Sequence, residues 1–232
     1  MKYKYLDLVT ALFATILLTS NIASSAKIVD LGFSIFGLRL AFDGGTLLFP
    51  LSYILGDILT EVYGFRTARR VIWTGFICLA LSALMIFILR HLPSDPVWEN
   101  YAGDTAYQSI LGGMSSGGIV IASLVAYLVG NFSNSIILSK MKIFTGGRYL
   151  WTRTIGSSVI GELLDSLVFV SIATLTGVFG RELFLSLVLT NYFLKLSFEI
   201  ILTPLTYLSV KILKKAESID VYDEGISYKI FG

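Results

Sequence analysis

Six ionisable side chains lie within stretches of the sequence that are otherwise apolar. They form three pairs, Asp57 with Glu61, Glu162 with Asp165, and Lys195 with Glu199. The members of each pair are three or four residues apart, so on an α-helix they would share one face. A carboxylate near the centre of a bilayer costs several kcal/mol, so such faces are expected to look into a helix bundle or a wet cavity. The pairs therefore predict a polar binding site inside a membrane domain.

Uncharged polar and aromatic side chains supply the other groups that such a site needs. The amides in apolar stretches are Asn21, Asn131, Asn134 and Asn191, and the best-placed aromatic residues are Tyr53 and Tyr192. An Asn side chain offers donors and an acceptor, and an aromatic ring stacks on a flat ligand. Besides the six ionisable residues, the candidate binding residues are therefore Asn21, Asn131, Asn134, Tyr53 and Tyr192.

Each of these groups also has a purely structural interpretation. Lys195 could neutralise Glu199, or a carboxylate on another helix, and so stabilise helix packing. Glu61, near the end of its stretch, could pair at the membrane interface with an arginine of the segment 66–70. The amides could form hydrogen bonds between helices, which is common in membranes. The structural interpretation is weakest for the four acids of the first two pairs, because one lysine cannot neutralise four carboxylates.

The overall composition is that of a membrane protein. Of 232 residues, 55% are hydrophobic and 15% are charged, and the mean hydropathy is +0.77, whereas soluble domains average about 25% charged residues. A chain of this length holds about six crossings of roughly 20 residues each, which excludes a fused ATPase or soluble enzyme domain. One Cys and one His exclude a cysteine cluster and a multi-histidine metal site. No phosphate-binding loop or nucleophile elbow occurs, so no enzyme activity is expected.

The apolar stretches predict an all-α integral membrane protein, a single transmembrane domain over residues 1–232 with six membrane-spanning helices. The predicted spans are residues 6–27, 46–64, 71–90, 110–139, 154–179 and 183–213. The fourth is longer than a straight crossing requires and is rich in glycine between residues 112 and 118, so it is expected to be tilted or broken near its start. Residues 27–42 are too short for a span and are predicted to form an external hairpin or interfacial segment that caps the outer mouth.

The distribution of Lys and Arg predicts that both chain ends face the cytoplasm. With six spans, one side would carry twelve basic residues, which are Lys2, Lys4, Arg66, Arg69, Arg70, Lys140, Lys142, Arg148, Lys211, Lys214, Lys215 and Lys229. The opposite side would carry four, which are Lys27, Arg39, Arg90 and Arg181. Because cytoplasmic loops are enriched in Lys and Arg, the side with twelve is assigned to the cytoplasm.

A faint internal repeat favours two halves of three helices each. Residues 56–61 (GDILTE) resemble residues 161–166 (GELLDS), and residues 21–27 (NIASSAK) resemble residues 134–140 (NSIILSK). Halves with an odd number of helices would have opposite orientations, an inverted 3+3 repeat with the binding site at the midplane between them. Short apolar matches also arise by chance, so a bundle without a repeat stays open as the alternative.

Three longer segments carry a resemblance to a known family. They are residues 45–70 (GTLLFPLSYILGDILTEVYGFRTARR), residues 153–169 (RTIGSSVIGELLDSLVF) and residues 192–223, which include KLSFEIILTPLTY. Together they resemble the queuosine precursor transporter family, also called vitamin uptake transporters. The resemblance implies an inner-membrane importer of 7-deazaguanine bases that works by secondary or facilitated transport. The implied cargo is the 7-cyano or 7-aminomethyl precursor of queuosine, or queuine itself.

A 7-deazaguanine base suits the predicted site. The base presents N1–H and an exocyclic amine side by side, and one carboxylate can accept both hydrogen bonds, while an Asn or Lys donor suits O6. The expected carboxylate is Asp57, Glu162 or Asp165, and the expected stacking rings are those of Tyr53, Tyr192 and Phe193. A desolvated carboxylate without a partner could also carry a proton, so proton coupling is an open interpretation.

Two other functions stay open as alternatives. One is the substrate-capturing membrane subunit of an energy-coupling-factor vitamin importer, which would need separate ATPases and a scaffold protein. The other is a membrane enzyme or assembly factor whose acids bind metal, although the one histidine, His91, is expected in an external loop. For the leading interpretation the partners are a small nucleobase and the lipid bilayer, without nucleic acid, cofactor or metal. The sequence is compatible with a homo-oligomer.

Overall fold

The computed structural model describes residues 3–35 and 38–231, so Lys2 of the predicted cytoplasmic set lies outside it. In chain order the elements are α1 (Leu6–Ala26), β1 (Ile28–Ile35), β2 (Leu38–Asp43), α2 (Phe49–Tyr63), α3 (Phe65–Arg90), α4 (Pro96–Tyr101), α5 (Gly103–Ser115), α6 (Gly117–Phe144), α7 (Leu150–Leu175) and α8 (Phe184–Glu217). Short 3-10 turns precede α2 at Gly44–Leu47 and α8 at Arg181–Leu183. The chain is therefore mostly helical.

Five helices in the described part of the chain are long and apolar enough to cross a membrane. They are α1, α3, α6, α7 and α8 together with the 3-10 turn before it. They correspond to the first, third, fourth, fifth and sixth predicted spans. The molecule is therefore a helical, multi-pass membrane protein, as its composition predicts.

The second predicted span is a shorter helix. α2 has 15 residues and so is about 22 Å long, less than the roughly 30 Å of a hydrocarbon core. Twelve of its residues are buried, so α2 lies inside the bundle and not against lipid. It runs antiparallel to α1: Gly44, just before α2, bonds the Lys27 carbonyl (2.8 Å), and Tyr63 at its end contacts Tyr3. The count of six spans and the inverted repeat stay predictions.

The segment between α1 and α2 is a β-hairpin. β1 and β2 pair antiparallel, from Ile28 opposite Asp43 to Ile35 opposite Leu38. The segment predicted as a hairpin or interfacial element thus forms a hairpin, although its residues 36 and 37 lie outside the described part of the chain. We call the end of the bundle at which it lies the hairpin end.

The fourth predicted span is broken near its start, as its glycines predict. α5 ends at Ser115 and α6 begins at Gly117, with Ser116 in an extended conformation between them. Gly118 lies against Thr176 just beyond α7, and a Cβ at this glycine would be 2.5 Å from the Thr176 hydroxyl. The glycine therefore permits a close approach of α6 to the end of α7.

The C-terminal segment, residues 218–231, folds back over the helix ends opposite the hairpin. Asp223 accepts a hydrogen bond from the backbone N–H of Phe65 at the start of α3 (2.8 Å). The Trp73 indole of α3 donates to the Ile230 carbonyl (3.1 Å). These bonds fix the segment against α3, and we call this end of the bundle the tail end.

The start of α1 also lies at the tail end. Glu217 accepts hydrogen bonds from the backbone N–H groups of Lys4 and Tyr5, at 2.8 and 2.7 Å. Gly64, which separates α2 from α3, has a positive φ of 80°, and a side chain there would collide with Val221 of the C-terminal segment. The described N-terminal and C-terminal ends of the chain are therefore on one side of the bundle.

Candidate functional site

A cavity lies between the helices at the hairpin end of the bundle. Its volume is about 180 Å³, and a smaller, deeper pocket of about 40 Å³ shares part of its wall. The shared lining residues are Asn21, Ser24, Asp43, Leu79, Ser123, Phe169 and Asn191. Because the two spaces share these residues, they form one recess, which we call the central cavity.

An ion pair lies at the inner end of the central cavity. Lys195 of α8 is 2.7 Å from Asp165 of α7, and its ammonium group is 4.8 Å from the centre of the Phe49 ring. Lys195 is 6% exposed, and both members of the pair line the cavity. Lys195 thus pairs with a carboxylate on another helix and not with Glu199 on its own. The pair presents a donor and an acceptor side by side to the cavity.

Three amides, Asn21, Asn131 and Asn191, line the same recess. Asn21 and Asn131 each use their side-chain N–H within their own helix, bonding the carbonyls of Leu17 (2.8 Å) and Tyr127 (2.9 Å). Such bonds hold each side chain in one orientation along its helix. Asn21 and Asn131 thus present fixed polar groups to the cavity.

Two buried hydroxyl groups at the inner end have no hydrogen-bond partner among the described residues. They belong to Tyr53 of α2 and Ser166 of α7, which line the cavity and are 3% and 1% exposed. A hydroxyl that is buried without a partner costs roughly 1–3 kcal/mol. Unpaired groups of this kind therefore indicate a place where a ligand or water binds.

Three carboxyl groups meet just beyond the inner end of the cavity. They belong to Asp57 of α2, Glu162 of α7 and Glu199 of α8, which are at most 2% exposed and do not line the cavity. The Glu199 carboxyl interacts directly with those of both Asp57 and Glu162. We call these three residues the carboxyl trio.

Few hydrogen-bond donors reach the carboxyl trio. Asn134 donates to Asp57 Oδ1 (2.7 Å), and Ser158 donates to Glu199 Oε1 (2.5 Å). The second oxygens of Asp57 and Glu199, and both oxygens of Glu162, bond no donor within residues 3–35 and 38–231. No lysine or arginine in that part of the chain forms an ion pair with the trio. The trio therefore has a surplus of acceptors and no direct counter-charge.

Glu61 belongs to a different group of charges, at the tail end. Its Oε1 accepts from Arg153 (2.8 Å) and Lys214 (2.7 Å), and Lys142 lies 3.5 Å from the same oxygen. Lys142 and Lys214 also pair with Asp220 of the C-terminal segment, at 2.6 and 2.8 Å. We call these five residues the tail-end ion cluster.

The electrostatics of the cluster keep its outermost acid ionised. Partial burial alone would raise the pKa of Asp220, but the ammonium groups of Lys142 and Lys214 hold that pKa below its ordinary value. Glu61 does not pair with an arginine of the segment 66–70, the structural alternative for this residue. Its cations come from α6, α7 and α8, which surround the end of α2.

The structure separates the eleven sequence-predicted candidates by depth. Asn21, Tyr53, Asn131, Asp165 and Lys195 line the central cavity, whereas Asp57, Asn134, Glu162 and Glu199 lie beneath it and Glu61 lies in the tail-end ion cluster. The Tyr192 ring packs against the Phe193 ring at 5.2 Å, and Tyr192 is not part of the cavity lining.

Sequence reasoning missed several lining residues. Phe49, Phe169 and Ser166 line the inner part of the cavity, and Ser158 bonds the trio. A signal for α7 was present, because residues 158, 162, 166 and 169 follow the spacing of one helix face. Within the described residues, no three His, Cys, Asp or Glu side chains form a group that could hold a metal ion.

Comparison with known proteins supplies independent information on the chain. The family described as "Putative vitamin uptake transporter" matches residues 43–209, which run from the end of β2 into α8. A Bacillus subtilis protein described as "Probable queuosine precursor transporter" is 26% identical over 185 residues, covering 79% of this chain and 77% of the relative. An Escherichia coli protein described as "Queuosine precursor transporter" is 24% identical over 182 residues, covering 78% and 76%.

A third relative has the same description. This Haemophilus influenzae "Probable queuosine precursor transporter" is 26% identical over 160 residues, covering 68% of this chain and 63% of the relative. No solved structure matches the chain. The family match spans well over half of the chain and contains the central cavity's inner end, the carboxyl trio and Glu61. The family and the three relatives are all described as transporters. The chain therefore belongs to the vitamin uptake transporter family.

Proposed function

We propose that this protein transports a 7-deazaguanine precursor of queuosine across a membrane and binds the base in the central cavity. The names of the relatives indicate the class of cargo. The observation that carries the proposal is the Asp165–Lys195 ion pair, which lines the cavity beside two unpartnered hydroxyl groups. Apolar walls with a few convergent polar groups are typical of small-molecule sites.

The ion pair matches the hydrogen-bonding edge of the base. A 7-deazaguanine carries an acceptor, O6, next to two donors, N1–H and the exocyclic amine. Asp165 can accept both donor hydrogens, and Lys195 can donate to O6, because the two side chains lie 2.7 Å apart. Asn21, Asn131, Asn191 and the hydroxyl groups of Tyr53 and Ser166 are further polar groups of the lining with which the ring nitrogens can bond.

Aromatic rings of the inner cavity suit a flat ligand. Phe49, Tyr53 and Phe169 all line it, and each ring can pack against the face of a base. We assign no base contact to Asp57, Glu162 or Glu199, which are sealed beneath the lining. Tyr192 and Glu61 also receive no contact, because they lie outside the lining.

We propose that the protein is an inner-membrane importer whose hairpin end faces outward and whose two chain ends are cytoplasmic. The position of the basic residues supports this orientation. The basic residues of the 140–148 and 211–215 segments lie near the tail end, where the positive-inside rule expects cytoplasm. The central cavity would then receive the base from outside. The 3-10 turn Gly44–Leu47 with α2 would form the sixth crossing, sheltered from lipid by its neighbours.

Uptake into liposomes that contain only this protein tests the proposal. Labelled 7-cyano-7-deazaguanine should enter saturably without any ATPase or scaffold protein. Tight binding without flux would contradict the proposal and favour a substrate-capturing subunit instead.

Two acid-to-amide variants locate the site. Asp165→Asn should weaken base affinity roughly tenfold to a hundredfold, because a hydrogen bond to a charged group contributes about 1.5–3 kcal/mol. Glu224→Gln, at an exposed position of the C-terminal segment, is the matched control and should keep wild-type affinity. Wild-type affinity in folded Asp165→Asn protein would exclude this ion pair from the binding site.

A further inference from the structure

The carboxyl trio has no role in the proposed base site, although it lies directly beneath it. We propose that Asp57, Glu162 and Glu199 form a proton-binding site that shares at least one proton and exchanges it with the central cavity. The inference rests on the proposed function, because the shared proton would be the ion that couples transport of the base to a proton gradient.

The charges around the trio require such a proton. Lys142, Arg153 and Lys214, on the helices around the trio, pair with Glu61 at the tail end. The titratable and charged groups that interact with the trio from these helices are Tyr53 and Glu61 of α2, Tyr127 of α6, Asp165 of α7, and Tyr192 and Lys195 of α8. The one cation among them, Lys195, already pairs with Asp165. Three ionised carboxylates would then be buried in contact without compensation, and an uncompensated buried charge is strongly destabilising. Carboxyl pairs in other proteins relieve the same repulsion by sharing a proton.

The hydrogen bonds of the trio lead to the same conclusion independently of its charge. Asn134 donates one hydrogen bond to Asp57, and Ser158 donates one to Glu199. Glu162 receives none from the described residues. Asp57 Oδ2, Glu199 Oε2 and both oxygens of Glu162 accept no hydrogen bond from the described residues, although the Glu199 carboxyl lies beside those of Asp57 and Glu162. A protonated carboxyl group becomes a donor, so a proton on one acid would bond the facing oxygen of the next. A shared proton thus supplies the donor that the protein itself does not.

Tyr53 connects the trio with the cavity. Its hydroxyl is buried and lacks a partner in the described part of the chain, and it lies against Gly130 where α6 contacts α7. The same hydroxyl lies within electrostatic range of Asp165 on the cavity side and of Glu162 and Glu199 on the trio side. A water proton from the hairpin end would pass by this hydroxyl to a carboxylate of the trio. It would leave toward the tail end when the transporter opens there.

Infrared spectroscopy of the purified, lipid-embedded protein tests the site without any transport. Protonated carboxyl groups have a C=O stretching band that ionised ones lack. Wild-type protein at pH 7 should show this band, and Glu162→Gln should lose intensity in it. Glu224→Gln, at an exposed position of the C-terminal segment, is the matched control and should leave the band unchanged. If Glu162→Gln does not fold, Glu199→Gln replaces it. A band that is absent from the wild type, or unchanged in the folded trio variant, overturns the proposal.

Transport assays separate this proposal from the proposed function. Exchange of labelled for unlabelled 7-cyano-7-deazaguanine across liposomes needs no net proton movement, so wild type and Glu162→Gln should both perform it. A gradient of one pH unit, acidic outside, should drive up to about tenfold accumulation by the wild type if one proton accompanies each base. In Glu162→Gln the ratio should fall to about one.

Each outcome has one meaning. Exchange by the wild type without accumulation in the pH gradient, or with accumulation in a sodium gradient instead, overturns the proton site and leaves the proposed function standing. No exchange by the wild type contradicts the proposed function itself.

Discussion

Replacing Glu61 by glutamine should destabilise the protein more than removing any one of the cations that contact it. The tail-end ion cluster contains three cations, Arg153, Lys142 and Lys214, but two acids, Glu61 and Asp220. Without Glu61 three cations would face one acid, whereas without Arg153 two cations would face two acids. Charge balance therefore makes the loss of Glu61 more destabilising than the loss of any one cation, although Glu61 forms no more bonds than Lys142.

The magnitude follows from the contacts. Glu61 Oε1 accepts two charge-assisted hydrogen bonds of 2.7 and 2.8 Å while both Glu61 and Arg153 are 1% exposed. Bonds to charged groups contribute about 1.5–3 kcal/mol each, and breaking a buried pair costs about 3–5 kcal/mol. Glu61→Gln should thus lose about 3–5 kcal/mol, a fall of roughly 10 °C in melting temperature for a chain of this length. Arg153→Met should lose about half as much.

Thermal unfolding in detergent, followed by circular dichroism, measures both variants. Glu224→Gln serves as the control for an acid-to-amide change outside the cluster and should melt with the wild type. A larger loss for Arg153→Met than for Glu61→Gln would refute the charge-balance reasoning. It would show that the hydrogen bonds of the guanidinium, and not the net charge, determine the stability of this end.

Three further predictions concern a helix contact, the outermost acid of the tail-end ion cluster and the orientation in the membrane. Gly130→Ala should cost about 1–3 kcal/mol of stability, since its Cβ would lie 2.6 Å from a buried tyrosine hydroxyl, whereas Gly112→Ala, with no atom nearer than 3.9 Å, should melt like the wild type. Asp220→Asn should lower the melting temperature at pH 7. Lysines depress the pKa of Asp220 in the folded state, so its ionised carboxylate contributes its full stabilisation to the fold above the unfolded pKa of about 3.9. This contribution is lost as the pH falls through the folded pKa. The melting temperatures of the wild type and Asp220→Asn should therefore become equal in acid. In a background without Cys78, a cysteine at Glu99 should react with an impermeant reagent from outside and one at Glu224 should not; the reverse would invert the proposed orientation.

Residue spacing predicted the inward face of each helix but not the depth at which each side chain lies. Asp57 and Glu61 share a face of α2, as their spacing of four requires, and both are buried. Four residues of helix also advance by about 6 Å along the axis. The two acids therefore belong to different clusters, Asp57 to the carboxyl trio and Glu61 to the tail-end ion cluster.

Contacts between helices were not accessible to the same reasoning. Arg153 lies at the start of a predicted span, where an arginine side chain commonly extends to the lipid headgroups. In the structure it is 1% exposed and bonds Glu61. The partner of Lys195 is also on another helix, although Glu199 is four residues away on its own. Periodicity describes one helix at a time, whereas rotation and axial position relative to a neighbour depend on packing along the whole bundle.

The short helix α2 links the three polar layers of the molecule. Tyr53, Asp57 and Glu61 follow at intervals of four residues, so they form one stripe along its buried face. From the hairpin end, the stripe passes from the central cavity to the carboxyl trio and then to the tail-end ion cluster. α2 supplies one carboxylate to each of the two clusters. An element with this role cannot face lipid, because three polar side chains on one stripe need partners at every turn. Its burial and its polar stripe thus have the same physical cause.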